Sequence, residues 1–577
     1  MPSRGAIVLL FLAAAGVFGL FARGDLENGD TQITLHAAHA WWDRGDPGLV
    51  RADEPELLAE GARPPSVAED FIARNWIDPD AGPDGAKPAS LYGMVGTNGR
   101  SYIWFPIGHQ ALLAPFVGLG DWLESVYPEP AERFEQARGP AFGDLYWTRF
   151  LASFLSPACM AGIFVLFAWT FRRVGATPWT ALLSATLAVF ATQLGGGTAE
   201  TMSNVPGALF LVGAIAAATA FVYGDGSGRA LLWCGLASGA AVLVRYPQAL
   251  LLLPFWTWVA VVAIRRGQLR RIGWLAAGGL PGLVLLLWAN HARFGALTET
   301  GYTNNAGFGA YSFPLGFASI LVAPGKGILW FSPLFVLAVW QLRRRSAWLG
   351  LTTCAALAFA IPLVLFSTVP YWAAGQCWGV RYLSAPLGFL TGLVLATTTP
   401  WQHAPRAFWT IATLGLLITS GAFVTDYTAQ QRLATNAGRV WWGEQENLDN
   451  NVNWDPRLSP IHSHWTYAAS VARGHLRTGT ATEIAAFLVF GAKGAYDTQG
   501  MERIPPKWAG FRHLWWRALP QWAPGFPTGL VLGVWIAVTT LFGALAVWRW
   551  QRGAPAADPA VNGASRAGRP TAARRAS

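Results

Sequence analysis

Long apolar runs recur along this chain, and most of its basic residues fall at every second boundary between them. A run of roughly 20 apolar residues is what a helix needs to cross a bilayer. Backbone groups inside lipid must bond internally, so such runs fold as helices. About a dozen runs qualify, at about 6–22, 148–170, 178–194, 204–223, 230–244, 247–264, 272–290, 325–342, 347–368, 383–399, 407–424 and 527–548. The expected fold class is an all-α polytopic membrane protein with about 12 transmembrane helices. The clusters Arg172-Arg173, Arg229, Arg265-Arg266, Arg270-Arg271, Arg343-Arg344-Arg345, Arg406 and those from Arg549 onward share one side with the amino terminus. The positive-inside bias makes that side the cytoplasm. Both termini are therefore expected to be cytoplasmic, in a multi-pass protein of the cell inner (plasma) membrane.

The 577 residues are 53% hydrophobic and only 13% charged, too little polar surface for a soluble chain of this length. The formal charge of +10 is dispersed in short clusters beside apolar runs, so membrane lipids and no nucleic acid are the expected partners. Cys159, Cys234, Cys354 and Cys377 are widely spaced and read as small core residues rather than disulfides or metal ligands. Many of the 31 tryptophans lie at run ends, as in an interfacial aromatic belt. The first run reads as a retained helix, because no small-residue cleavage site follows it near Arg23-Gly24-Asp25.

A catalytic transmembrane module over 1–424 is expected, with a large first extracytoplasmic loop over about 23–146. Its Pro/Gly/Asp-rich middle is flanked by two amphipathic pieces, Thr31–Trp42 and Ile107–Trp122, suited to the membrane surface. A Trp-rich extracytoplasmic segment over 425–526 follows, with a helix near Ala481–Ala492. The last span covers 527–548, and a disordered basic cytoplasmic tail covers 549–577.

Charged residues that break the alternation carry the chemistry. Arg245, Arg293, Lys326 and Arg381 lie on the extracytoplasmic face in Pro/Gly/aromatic settings: Arg245-Tyr246-Pro247, Arg293-Phe294-Gly295, Pro324-Gly325-Lys326-Gly327 and Trp378-Gly379-Val380-Arg381-Tyr382. One such residue is ordinarily an interface anchor, but four on one face suit an anionic group. Pro324–Gly327 lacks the spacing of a phosphate loop. Asp30 follows the first span; it is placed to N-cap a helix over Thr31–Trp42 ending at Gly45, and equally to take a proton from a polar acceptor. Glu200 is a second carboxylate on this face, or simply the start of the next helix. Asn98-Gly99 predicts a tight hairpin turn before a re-entry at Tyr102–His109. His36, His39, His109 and His291 lie near the same face, where lone histidines are ordinarily structural, and no metal is expected from their spacing.

Taken in order, these pieces resemble the GT-C class of integral membrane glycosyltransferases, the group that includes protein O-mannosyltransferases and the lipid A aminoarabinose transferase. The resemblance covers roughly 1–425. It rests on Asp30 leading into a surface helix that ends in Gly45, on Asn98-Gly99-Arg100 with Phe105-Pro106-Ile107-Gly108, on the four basic motifs, and on Gly301-Tyr302 and Trp330-Phe331-Ser332-Pro333. It implies a polyprenyl-phosphate sugar donor, a lipid, glycan or protein acceptor hydroxyl, and inverting transfer on the extracytoplasmic face. By position it gives Asp30 as general base with Glu200 as a further catalytic carboxylate, and Arg245, Arg293, Lys326 and Arg381 as donor-phosphate ligands. His109, Tyr302, Trp378 and Tyr382 would line the substrate site. Asp25 and Glu27 precede Asp30, so the choice of base stays open. No cofactor is certain, and a divalent metal is left open because metal dependence varies across the class.

Two other functions fit parts of the pattern. An O-antigen polymerase or ligase would work through Arg457, His462 and His464 in the late loop. A lipid or polysaccharide transporter or flippase would need paired broken helices and charges deep within spans, which the sequence does not present.

Overall fold

The computed structural model describes the chain except residues 1, 27, 59–61, 78–91, 140–142, 225, 303–306, 345–349, 376, 425–426, 428–429, 432–433, 436–437, 439–447, 466–512 and 553–577. It is an all-α multi-pass membrane fold with one small hairpin. Among the described residues, six helices are long and apolar enough to cross a membrane: Tyr146–Arg173, Asn204–Val222, Gln248–Arg265, Leu269–Phe294, Pro405–Phe423 and Thr528–Arg552. Shorter apolar helices at Arg4–Gly19, Pro178–Phe190, Gly228–Val244, Phe313–Val322, Gly350–Phe366 and Ser384–Thr398 stand among them. The expected helix near Ala481–Ala492 and nearly all of the expected tail lie outside the described residues.

One expected span is corrected. The run at 325–342 is broken into Ile328–Phe331 and Pro333–Gln341. Proline disfavours the α conformation in the residue before it, and Ser332 accordingly sits at φ −144°, ψ 59°. The break turns the Ser332 hydroxyl to accept from the Gln193 backbone N–H at 2.9 Å. The last helix also runs further than expected, to Arg552.

The site rests on a few elements, labelled here in chain order. Helix α1 (Arg4–Gly19) leads to α2 (Gly29–Arg44), which is buried on all sides from Thr31 to Ala40 and so does not lie on a surface as its sequence suggested. The hairpin β1 (Gly93–Val95) and β2 (Ser101–Ile103) pairs Gly93 with Ile103 and Met94 with Tyr102, with Gly99 at φ 81° in the turn, as the Asn-Gly pair predicts. Helix α3 (Ile107–Val126) packs on α2 and on α4 (Gly228–Val244). Helices α4 and α5 (Ile272–Phe294) cross through glycines: a Cβ on Gly235 would lie 2.2 Å from the Leu275 carbonyl, and one on Gly282 would lie 2.6 Å from Gly239. Such small-residue crossings let helix backbones approach within a membrane. The core cluster runs from Phe18 through Phe167, Phe221 and Phe255 to Leu387 and Phe389. Outward faces carry Leu283, Trp288, Leu530 and Val534, exposed as a lipid-facing surface requires.

Candidate active site

Helix α2 starts two residues earlier than its sequence suggests. Asn28, not Asp30, is the cap, its side chain accepting from the Asp30 backbone N–H at 2.9 Å. The expectation that Asp30 caps the helix is therefore corrected: it stands within the first turn, with its carboxylate free to point elsewhere. Gly45 closes the helix in the left-handed conformation at φ 72°, bonding back to Trp41. The Asp30 carboxylate reaches Arg381, 351 positions away, with Oδ2 3.0 Å from Nη1. Asp25 is committed differently, accepting from Arg138 Nη2 at 2.5 Å and from its neighbour's N–H. Glu27 lies outside the described residues.

Arg381 and Arg245 flank one ring. Their guanidinium carbons stand 5.6 and 5.5 Å from the centroid of Tyr382, which stacks on Phe366 at 4.0 Å. Arg245 is the extended residue that ends α4, and it donates to Asn204 and, at 3.4 Å, to Ser203. Both arginines line a cleft with about 700 Å³ of empty space that opens to solvent. Glu200, Gln193 and Trp378 line it as well, with the apolar side chains of Leu250, Leu251, Pro362 and Phe366. Glu200 is not a helix start: it follows a short 3-10 turn at Gly195–Ala199 and accepts from the Trp378 backbone N–H at 3.1 Å. It also lines a smaller neighbouring recess with Asn28, Thr31 and Met202, so one carboxylate borders both spaces. Arg381 Nε and Trp378 Nε1 are buried donors with no hydrogen-bond partner among the described residues.

The substrate-site expectations divide. Tyr302 stacks on Trp104 at 5.1 Å and meets Tyr246 edge-on at 5.9 Å; its phenol lies within the fields of Arg245 and Asp30, and burial pushes it up. His109, in the first turn of α3, is buried, and burial reinforced by the charge of Arg245 pushes its imidazole down to about 4. It is thus neutral at ordinary pH. Trp378 and Tyr382 line the cleft.

Arg293 and Lys326 are not brought to it. Arg293 donates to the carbonyls of Ala289, Ile103 and Phe105 at 3.0–3.2 Å and to Asn290 at 3.0 Å, tying α5 to the end of the hairpin. Lys326, fully buried, donates to the Gly375 carbonyl at 2.8 Å and to the Cys377 carbonyl. Buried charges need such partners, and these groups find them in backbone rather than in the cleft. Both support the segments that hold the site.

Some residues at the site were not read from the sequence. Gln193 clamps Val380 from both sides, donating to its carbonyl at 3.1 Å and accepting from its N–H at 3.3 Å, one residue before Arg381. Met202 Sδ touches Arg381 Nη1. A polar Gln within an apolar run was the available signal for the first; a lone Met gives none. The late-loop trio of the polymerase reading does not converge: Arg457 pairs with Asp455 at 2.6 Å on the surface, His462 is exposed, and His464 is buried against Trp378 with its Nδ1 2.8 Å from the Gly421 carbonyl.

Residues 142–289 match the dolichyl-phosphate-mannose-protein mannosyltransferase family, a stretch that includes Glu200 and Arg245. Among solved structures, the chain is similar to ArnT from Cupriavidus metallidurans bound to undecaprenyl phosphate, at 14% identity and a TM-score of 0.43, over 95% of this chain and 78% of that one. The apo state of the same protein gives 14% identity and 0.43, over 94% and 76%. No curated protein matches. The family match bears out the resemblance to the GT-C class and, with it, the reading of the chain as a membrane glycosyltransferase.

Proposed function

From that class we propose that this protein moves a sugar from a polyprenyl-phosphate donor to an acceptor hydroxyl, with inversion, on the extracytoplasmic face of the inner membrane. The observation that carries the donor reading is the cleft's composition. Two arginines and unpartnered buried donors line it together with the apolar side chains of Leu250, Leu251, Pro362 and Phe366. A phosphate on an isoprenoid tail combines the same two characters.

The chemistry follows from the charges. The leaving group is already an anionic phosphate, so it needs cations rather than an acid. Arg381 and Arg245, fixed by Tyr382, Asn204 and the Gln193 clamp on Val380, supply preorganised positive charge away from bulk water. Asp30 is the base: it takes the acceptor proton as the hydroxyl oxygen attacks the anomeric carbon from the face opposite the phosphate. In the free enzyme its partner is Arg381. An arriving phosphate competes for that guanidinium, which loosens the carboxylate as the donor seats. Glu200, bordering both spaces, stands where an acceptor entering the smaller recess would meet the donor. Trp378 and Tyr382 form further wall of the cleft.

The test is lipid and glycan profiling of a deletion strain. Accumulation of a polyprenyl-phosphate sugar beside an under-glycosylated product supports the reading. A transported substrate moved by purified protein without any glycosyl transfer refutes it.

A further inference from the structure

The extracytoplasmic helices α2 and α3 meet at a cluster remote from the cleft. His39 and Asp43 lie one turn apart on α2, with Nδ1 3.2 Å from Oδ2. Asp121 on α3 faces them, its Oδ1 3.9 Å from His39 Nε2. One ligand atom from each of the three residues falls within 4.8 Å of the others. His39 is 9% exposed, and its Nε2 is buried with no hydrogen-bond partner. Neighbouring helices approach closely here: a Cβ on Gly118 of α3 would fall 2.3 Å from the Trp42 ring of α2.

Among the described residues, one arginine pairs with these carboxylates. Arg63 stands 3.9 Å from Asp43, but on a side chain 67% exposed. Asp43 is also in the last turn of α2, where the negative end of the helix dipole disfavours a carboxylate. Nearby, His36 faces Asp144 at 3.6 Å and belongs to a separate contact.

We propose that His39, Asp43 and Asp121 form a divalent transition-metal site, best matched to zinc, that staples α2 to α3. An imidazole and two carboxylates are a donor set that zinc accepts, with water completing the shell. At metal–ligand distances of about 2.0–2.2 Å, a tetrahedral edge is roughly 3.4 Å. Asp43 and Asp121 now approach different nitrogens of His39, of which an ion takes one, so the side chains must turn to bring their three ligand atoms, already within 4.8 Å of one another, to that edge. Two carboxylates cancel the ion's charge, and the ion cancels the repulsion that the cluster otherwise holds. Asp30 lies nine residues before His39, about 13 Å along the helix axis. The metal would therefore hold the helix that presents Asp30 and take no part in the reaction.

The test uses full-length protein purified in detergent without a polyhistidine tag, stripped with chelator and titrated with Zn²⁺, and with Co²⁺ as a spectroscopic probe. One zinc per chain with a micromolar or tighter Kd is expected, together with Co²⁺ d–d bands typical of low coordination. His39→Ala and Asp121→Asn should each weaken binding at least about 100-fold, whereas His36→Gln should leave it unchanged. Zinc should also raise the unfolding midpoint of the parent chain but not of Asp121→Asn, whose carboxylate is partly exposed and whose loss should spare the fold. Absence of binding at about 100 µM Zn²⁺, or binding unchanged in both ligand variants, overturns the proposal. Neither readout depends on glycosyl transfer.

Discussion

Asp30→Asn separates two roles that one carboxylate plays. In the free enzyme Asp30 holds Arg381 at 3.0 Å, both side chains being largely enclosed. At that distance and an effective dielectric of 20, the gross attraction is about 5 kcal/mol. Desolvation offsets most of it, and a hydrogen bond to a charged group nets about 1.5–3 kcal/mol. Asparagine keeps an oxygen able to accept from Arg381, so the tether weakens while its geometry survives. If the tether were the only role, the effect would be at most about tenfold and would appear in donor KM, because each 1.4 kcal/mol is a factor of ten. Loss of the base removes about 10²–10⁴-fold from kcat. The assay is transfer from a polyprenyl-phosphate sugar by purified enzyme, with kcat and donor KM measured separately and folding checked by thermal unfolding. The account predicts a kcat loss of about 100-fold or more with a donor KM changed by less than about tenfold. A kcat within tenfold of the parent refutes the assignment of Asp30 as base.

Three further outcomes follow from the same geometry. Lys326→Met removes a buried ammonium from the carbonyls of Gly375 and Cys377, so thermal unfolding should show a loss of about 2–4 kcal/mol, and donor KM should rise through Arg381 rather than through direct contact. Gly196→Ala places a Cβ 2.4 Å from the Trp378 ring, which must shift away from the cleft; transfer should fall by at least about tenfold, with Trp fluorescence altered. His36 and His109 are both held down to about 4 against an ordinary 6.5, so the unfolded chain takes up protons first as pH falls from 6.5. Their neutral-state stabilisation is intact above 6.5 and is lost towards pH 4, at most about 3 kcal/mol for each. His36→Gln should flatten the fall in unfolding midpoint over that window, and an unchanged profile would contradict its buried neutral state.

Much of the fold was legible because membrane insertion leaves a coarse signal. Apolar length, basic alternation and the Asn98-Gly99 turn need no tertiary information, and helices or a hairpin stand near where each implied. The interruption at Ser332-Pro333 was written in the sequence as well, but within a run whose hydropathy concealed it. At the site, sidedness placed Asp30, Glu200, Arg245 and Arg381 on one face, and the structure brings the first and last into contact. What the sequence withheld was partner choice. Whether a buried cation meets a ligand or a carbonyl depends on segments far apart in the chain. Arg293 finds its carbonyls on the hairpin end, and Lys326 finds its own on the loop before Trp378. Capping differed by two residues because Asn28 and Asp30 are both good caps, and only the backbone decides between them. The histidines read as structural divide likewise: His36 and His109 are buried neutral groups, whereas His39 meets two carboxylates through a helix contact with no sequence signature.

The central claim is that the cleft beside Arg245 and Arg381 receives a phosphate on an isoprenoid tail. An experimental structure of the protein with a polyprenyl phosphate tests it most directly. The account predicts phosphate oxygens within about 3 Å of both guanidinium groups, Arg381 released from Asp30, and the tail against Leu250, Leu251 and Phe366. A phosphate bound elsewhere, with the Asp30–Arg381 pair intact and the cleft empty, would contradict it.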